Sequence, residues 1–140
     1  MALNFMVSWL PIVVAAIVSF LVGWLWYSPV LFGGVWIKAT NMSKADMAKA
    51  KQKGMAKSAF FGFIAQLVMA WILGVFIFTT ASFGVMGGVT VAFWVWLGFV
   101  ATIGLGTVLW ECKPATLFWI NMTHWLVAML IMGGIIGAWM

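Results

Sequence analysis

Lysine, arginine, aspartate and glutamate are absent from residues 1–37, 58–110 and 114–140, and the seven lysines, Asp46 and Glu111 are crowded into the two stretches between. Soluble domains carry a charge at about every fourth residue. A helix crossing a hydrocarbon core of about 30 Å needs about 20 apolar residues at about 1.5 Å each. The central charge-free run is long enough for two crossings and each terminal run for one, which makes four. The composition agrees: 66% hydrophobic and 6% charged residues, with a mean hydropathy of +1.19, exceed what a soluble fold of this size can bury.

The spans are predicted at Phe5–Tyr27, Ser58–Thr80, Val89–Trp110 and Ala115–Trp139. Transmembrane β-barrels alternate polarity in segments of about ten residues. That alternation is absent, so the expected fold is an all-α polytopic integral membrane protein, one transmembrane domain over residues 1–140 with four membrane-spanning helices. Pro11 suits the first turn of its helix, where a missing N–H costs little. No basic residue precedes the first apolar run, and the run exceeds the 7–15 residues of a signal-peptide core, so it is expected to be retained.

Charge placement predicts orientation. Six lysines fall in the loop 38–57 and the seventh, Lys113, in the turn before the last span, whereas residues 81–88 carry no charge. By the positive-inside rule the lysine-rich loop is cytoplasmic, as is the 111–114 turn, and both termini are on the far side of the membrane. The basic face is expected to attract anionic lipid headgroups. With no arginine and no basic module, nucleic acid is not an expected partner.

At the inner end of the first span stands the stretch GWLWYSPVLFGGVWIK, Gly23–Lys38. Trp24, Trp26 and Tyr27 are rings of the kind that settle at headgroup level. Extending the first helix to Lys38 would give about 50 Å, too long for the core, so the chain must bend. Ser28 and Pro29 read as an N-cap and a first-turn proline opening a short interfacial helix through Trp36. Its segment Val30–Ile37 either lies along the inner surface or dips back into it; Gly33 and Gly34 either loosen it or admit another backbone. Further on, Ser43 and Asp46 have capping-box spacing and predict a helix to about Lys53, ended by Gly54. Met42, Met47 and Ala50 give it a thin apolar face, compatible with a solvated connector or an interfacial lipid-binding helix. Glu111, at the start of the turn before Pro114, is expected to pair with a lysine of the long loop or to cap the turn.

Three motifs together resemble one family. W-Y-S-P-x-L-F-G-x-x-W at Trp26–Trp36, L-G-F-V-A-T at Leu97–Thr102 and E-x-K-P-x-x-L-F-x-I-N at Glu111–Asn121 are similar in order and spacing to the DUF1761 family of small bacterial membrane proteins. The resemblance implies four helices and a bacterial inner membrane. It implies no activity, since the family's function is unknown.

Small residues mark helix contacts. Ala15-x3-Ser19-x3-Gly23, Gly98-x3-Thr102-x3-Gly106 and Gly133-x3-Gly137 each lay a smooth stripe along one face, where backbones can approach. Three stripes and eleven tryptophans predict a homo-oligomer. Trp71, Trp94, Trp96 and Trp125 fall inside spans, where each indole N–H wants a partner. Packing on neighbouring helices is the expected account, and a lipid, quinone or pigment surface the sharper one.

Chemistry-bearing residues are few. No nucleotide-binding, metalloprotease, dithiol or nucleophile-elbow motif occurs. One histidine, one cysteine, one aspartate and one glutamate leave a metal site without ligands and a triad without partners, so no catalytic residue, metal or cofactor is expected. Cys112 is read as a plain reduced interfacial cysteine. Met129 and Met132 near His124 suggest haem or copper only weakly, because methionine is common helix filler. What remains is an intramembrane polar layer. Ser19, Gln66, Thr102 and His124 each lie about 12–14 Å from the inner end of their span, with Asn121 one turn from His124 on the same face. The layer is either interhelical hydrogen bonding or a binding or translocation site, with Asn121 or Gln66 as the expected partner of His124. Two function classes follow: an oligomeric transporter or channel around the layer, favoured because His124 is ionisable, and a structural or accessory protein holding lipids or a larger complex. An enzyme ranks third.

Overall fold

The structure, a computed structural model, describes residues 2–140. All the regular elements among the described residues are helices: α1 (Trp9–Trp26), α2 (Gly33–Thr40), α3 (Lys44–Gln52), α4 (Met55–Thr79), α5 (Gly84–Val95), a π-helical segment Trp96–Ala101, α6 (Thr102–Leu109) and α7 (Ala115–Trp139). Four helices are long and apolar enough to cross a membrane: Trp9–Trp26, Met55–Thr79, Gly84–Leu109 and Ala115–Trp139. The first starts at Trp9 rather than Phe5, with Pro11 in its opening turn; the second starts at Met55, so Lys57 is helical. They alternate in direction, and the Asn4 N–H reaches Thr79 Oγ1 (3.0 Å) at the far end from the lysines.

The capping box at Ser43 forms as its spacing predicts. Ser43 Oγ accepts from the Asp46 N–H and an Asp46 carboxylate oxygen accepts from the Ser43 N–H, both at 3.1 Å. The Ser43 hydroxyl, and then its backbone N–H, hold the Asp46 carboxyl below the usual aspartate range.

Helix α7 is the hub, packed on α1, α4 and most extensively on α5. The α5–α7 approach is a glycine contact: a Cβ on Gly88 would lie 2.7 Å from the Gly133 carbonyl carbon and 3.1 Å from Gly137 Cα. Leu73, Ile77, Met129, Met132 and Ile136 complete the buried centre. The stripe at Gly133 and Gly137 is therefore spent inside the chain, against α5. Ala15 and Ser19 of the first stripe are buried as well.

The third stripe is turned outward. Gly98 and Thr102 are exposed, and no atom comes within 4 Å of where a Gly98 Cβ would be. The α7-facing positions are instead Gly88, Ala92, Trp96, Val100 and Gly104, spaced by four. In a straight α-helix sixteen residues at 3.6 per turn would carry Gly104 about 160° away from Gly88. The wider π turn over Trp96–Ala101, which coincides with the L-G-F-V-A-T motif, takes up this drift. Residues 98, 102 and 106, two out of phase, then face away.

Of the four rings expected to pack inside the bundle, only Trp96 has an interhelical hydrogen bond, from Nε1 to the Met122 carbonyl (3.0 Å). Trp94 is 62% exposed, and Trp71 packs on Phe5 at the surface.

Candidate functional site

The first and last motifs meet at the lysine-bearing end of the bundle. Trp26 Nε1 donates to the Ile120 carbonyl (3.1 Å), and the Tyr27 hydroxyl donates to Asn121 Oδ1 (2.7 Å). Consecutive residues closing α1 thus grip consecutive residues in α7. Trp36 stands edge-on to Tyr27 at 5.8 Å.

The bend between them differs from the expected cap. The Ser28 hydroxyl turns back to the Leu25 carbonyl (2.6 Å), the Phe32 N–H bonds the Trp26 carbonyl (3.0 Å) and the Gly33 N–H the Ser28 carbonyl (2.9 Å). Ser28 and Pro29 thus lie in a run of turns, and the short helix starts only at Gly33, with Phe32 before it supplying no side-chain cap. Here glycine is obligatory: a Cβ on Gly33 would strike the carbonyls of Tyr27 and Ser28, whereas Gly34 is free. Glu111 is exposed, and the turn expected to need it is closed instead by the Lys113 N–H on the Thr107 carbonyl (3.0 Å). Cys112, also exposed, holds a left-handed φ of 55°.

Of the five residues of the predicted polar layer, two bond each other, one is taken by a residue outside the layer, one faces away and one is an orphan. Ser19 donates to Gln66 Oε1 (2.9 Å) in a buried bond, and Asn121 is taken by Tyr27. Thr102 leaves the layer altogether, on the exposed face with its hydroxyl on the Gly98 carbonyl (2.8 Å). His124 is 3% exposed, and neither Nδ1 nor Nε2 has a hydrogen-bond partner among the described residues. The expected bond to Asn121 or Gln66 is not made. The imidazole is instead bordered by Trp125, Tyr27 and Trp26, with ring centroids at 4.8, 5.1 and 6.1 Å.

Beside His124 runs a groove of about 930 Å³ between α1, α4 and α7. It extends from Pro29, Val30 and Met55 at the lysine-bearing end inward to Gln66, with Phe20 and Trp24 on one wall and Gly23 and His124 deep within it. A Cβ on Gly23 would lie 3.0 Å from His124 Nε2, so the absence of a side chain at Gly23 is what lets α1 pack against this buried nitrogen. A second cavity, of about 560 Å³, lies toward α2 and is lined by Trp36, Ile37, Asn121 and Met122. Tyr27 and Trp125 border both. No group of three histidine, cysteine, aspartate or glutamate side chains able to hold a metal occurs among the described residues. Most of the groove lining lay outside the polar layer read from the sequence, Gly23 and Trp125 among it; a glycine one helical turn past Ser19 and a ring next to the sole histidine were the available signals.

A family model described as "Protein of unknown function (DUF1761)" matches residues 10–137. The chain belongs to this family. The DUF1761 match spans all three motifs, the groove and His124, leaving out only the two ends of the chain. No curated protein and no solved structure matches the chain. Membership in DUF1761 assigns no activity.

Proposed function

We propose that this DUF1761 protein is an accessory protein of the bacterial inner membrane that takes an amphipathic molecule from the cytoplasmic leaflet into the groove between α1, α4 and α7. The observation that carries this reading is His124, whose two nitrogens are buried without partners beside a roomy, mainly apolar groove. An unpaired buried polar group costs about 1–3 kcal/mol, so a ligand that pairs it recovers that penalty on binding. The groove falls within the about 300–1,000 Å³ typical of small-molecule sites, which join apolar walls to a few polar groups.

Conduction through one chain has less support. Ser19 spends its hydroxyl on Gln66 Oε1, Thr102 faces away, and apolar side chains from Leu73 to Ile136 fill the centre above them. The groove mouth lies at the lysine-bearing end, so the positive-inside rule puts it in the cytoplasmic leaflet, where the basic loop would gather anionic headgroups. Copies of the chain would associate through the outward stripe of Gly98, Thr102 and Gly106.

A diazirine-bearing fatty alcohol, photolysed with the protein in nanodiscs, tests the groove. Labelling is expected to concentrate on Phe20, Trp24 and Met55 and to fall when Ala65→Trp fills the groove. Labelling spread evenly over all lipid-facing helices refutes the reading.

A further inference from the structure

Building on the groove reading, we infer that the groove's ligand carries a planar, uncharged, carbonyl-bearing ring on an apolar tail, the chemistry of a prenyl quinone, and that His124 anchors the ring. Depth decides the charge. His124 lies nine residues into α7, about 13 Å from its start at the inner surface. A phosphate or carboxylate drawn that far would need a cation beside it. The groove lining contains no lysine or arginine. Anionic heads are thus held back at the surface, and only an uncharged head reaches the imidazole.

Hydrogen bonding decides the polar group. A neutral imidazole offers one N–H donor and one bare nitrogen acceptor. Nε2 is buried against Gly23 on the groove wall, and a ring carbonyl that enters there, with a small shift of the imidazole, accepts from its N–H and relieves the unpaired site. A hydrocarbon tail alone leaves both nitrogens orphaned. The surroundings decide the shape: Trp26, Tyr27 and Trp125 border the imidazole, and Trp24 and Phe20 flank the groove. Aromatic walls favour a flat ring over a branched headgroup, because offset-stacked and edge-to-face contacts are open to it. The run from Gln66 out to Met55 then receives the tail.

The test titrates decylubiquinone, with 1-dodecanol as a ringless control, into the full-length protein in nanodiscs. Thermal unfolding and the quinone carbonyl stretch by infrared difference spectroscopy are the readouts. Decylubiquinone is expected to raise the unfolding temperature by about 4 °C or more near saturation, and dodecanol by much less. The carbonyl band should shift to lower frequency on binding. Gly23→Ala puts a methyl over Nε2, and His124→Leu removes the donor. Both should weaken decylubiquinone by about ten-fold or more and cancel the band shift, and His124→Gln should restore part of each. Should His124→Leu fail to fold, Gly23→Ala and His124→Gln still decide. Equal stabilisation by the alcohol and the quinone, abolished by Ala65→Trp, overturns the quinone inference and leaves the groove reading standing. No stabilisation by either compound overturns both. Decylubiquinone binding that Gly23→Ala and His124→Gln leave unchanged, band shift included, removes His124 as the anchor.

Discussion

Gly88→Ala is the sharpest probe of what holds the bundle together. On an exposed helical surface, alanine for glycine stabilises by about 1 kcal/mol, because glycine surrenders more backbone freedom on folding. At Gly88 the sign should reverse. The added Cβ would lie 2.7 Å from the Gly133 carbonyl carbon and 3.1 Å from Gly137 Cα, and both are backbone atoms that no rotamer change can move aside. Ordinary carbon contacts lie at about 3.5–4.0 Å, so α5 and α7 must part by close to an ångström along the bundle's most extensive contact. Overpacking of this kind costs about 1–3 kcal/mol, and a rigid obstacle puts Gly88 at the upper end, near 3 kcal/mol net of the helix gain. Membrane helices have little hydrophobic force with which to make up lost packing. Steric trapping in bicelles measures the difference directly, with Gly98→Ala as the matched control because nothing lies within 4 Å of its Cβ position. A Gly88→Ala protein as stable as the parent, or a Gly98→Ala protein equally weakened, would falsify the glycine-contact account.

The remaining predictions address the cap, the motif junction and the topology. Because its partners lower the Asp46 pKa in the folded state, the capping box contributes stability above the unfolded carboxyl value of 3.8 and loses it as pH falls through the lower folded value. Protection factors of the amides over residues 44–47, each referred to the intrinsic exchange rate at the same pH, should therefore fall on acidification, and Asp46→Asn should remove this pH dependence. Tyr27→Phe keeps the ring and drops the hydroxyl that bonds Asn121, at a cost of about 1 kcal/mol in unfolding free energy; a loss in Tyr27→Phe/Asn121→Ala equal to the sum of the two single losses would show that the two do not act as a pair. Native Cys112, exposed at the lysine-bearing end, should react with a membrane-impermeant maleimide only after cells are opened. Labelling in intact cells would reverse the orientation.

The charge-free runs alone determined the all-helical class and the four crossings, because an unpaired charge or backbone group in hydrocarbon is so costly that few architectures remain. Local spacing likewise determined the capping box, whose partners are three residues apart and need nothing distant. The polar layer was only half legible. Counting residues from a span's end fixes the depth of Ser19, Gln66, Thr102 and His124, but not how each helix is rotated about its axis, and a hydrogen bond requires both. Rotation of the third span was decided by its π segment, which keeps a four-residue period facing α7 and turns Thr102 outward. Partner choice was decided by the packing of α1, α4 and α7, which joins Ser19 to Gln66 and Tyr27 to Asn121. His124 is left without a partner because both of its expected partners sit in bonds made across those same helix contacts, and only the tertiary structure brings Gly23 against its ring and opens the groove beside it.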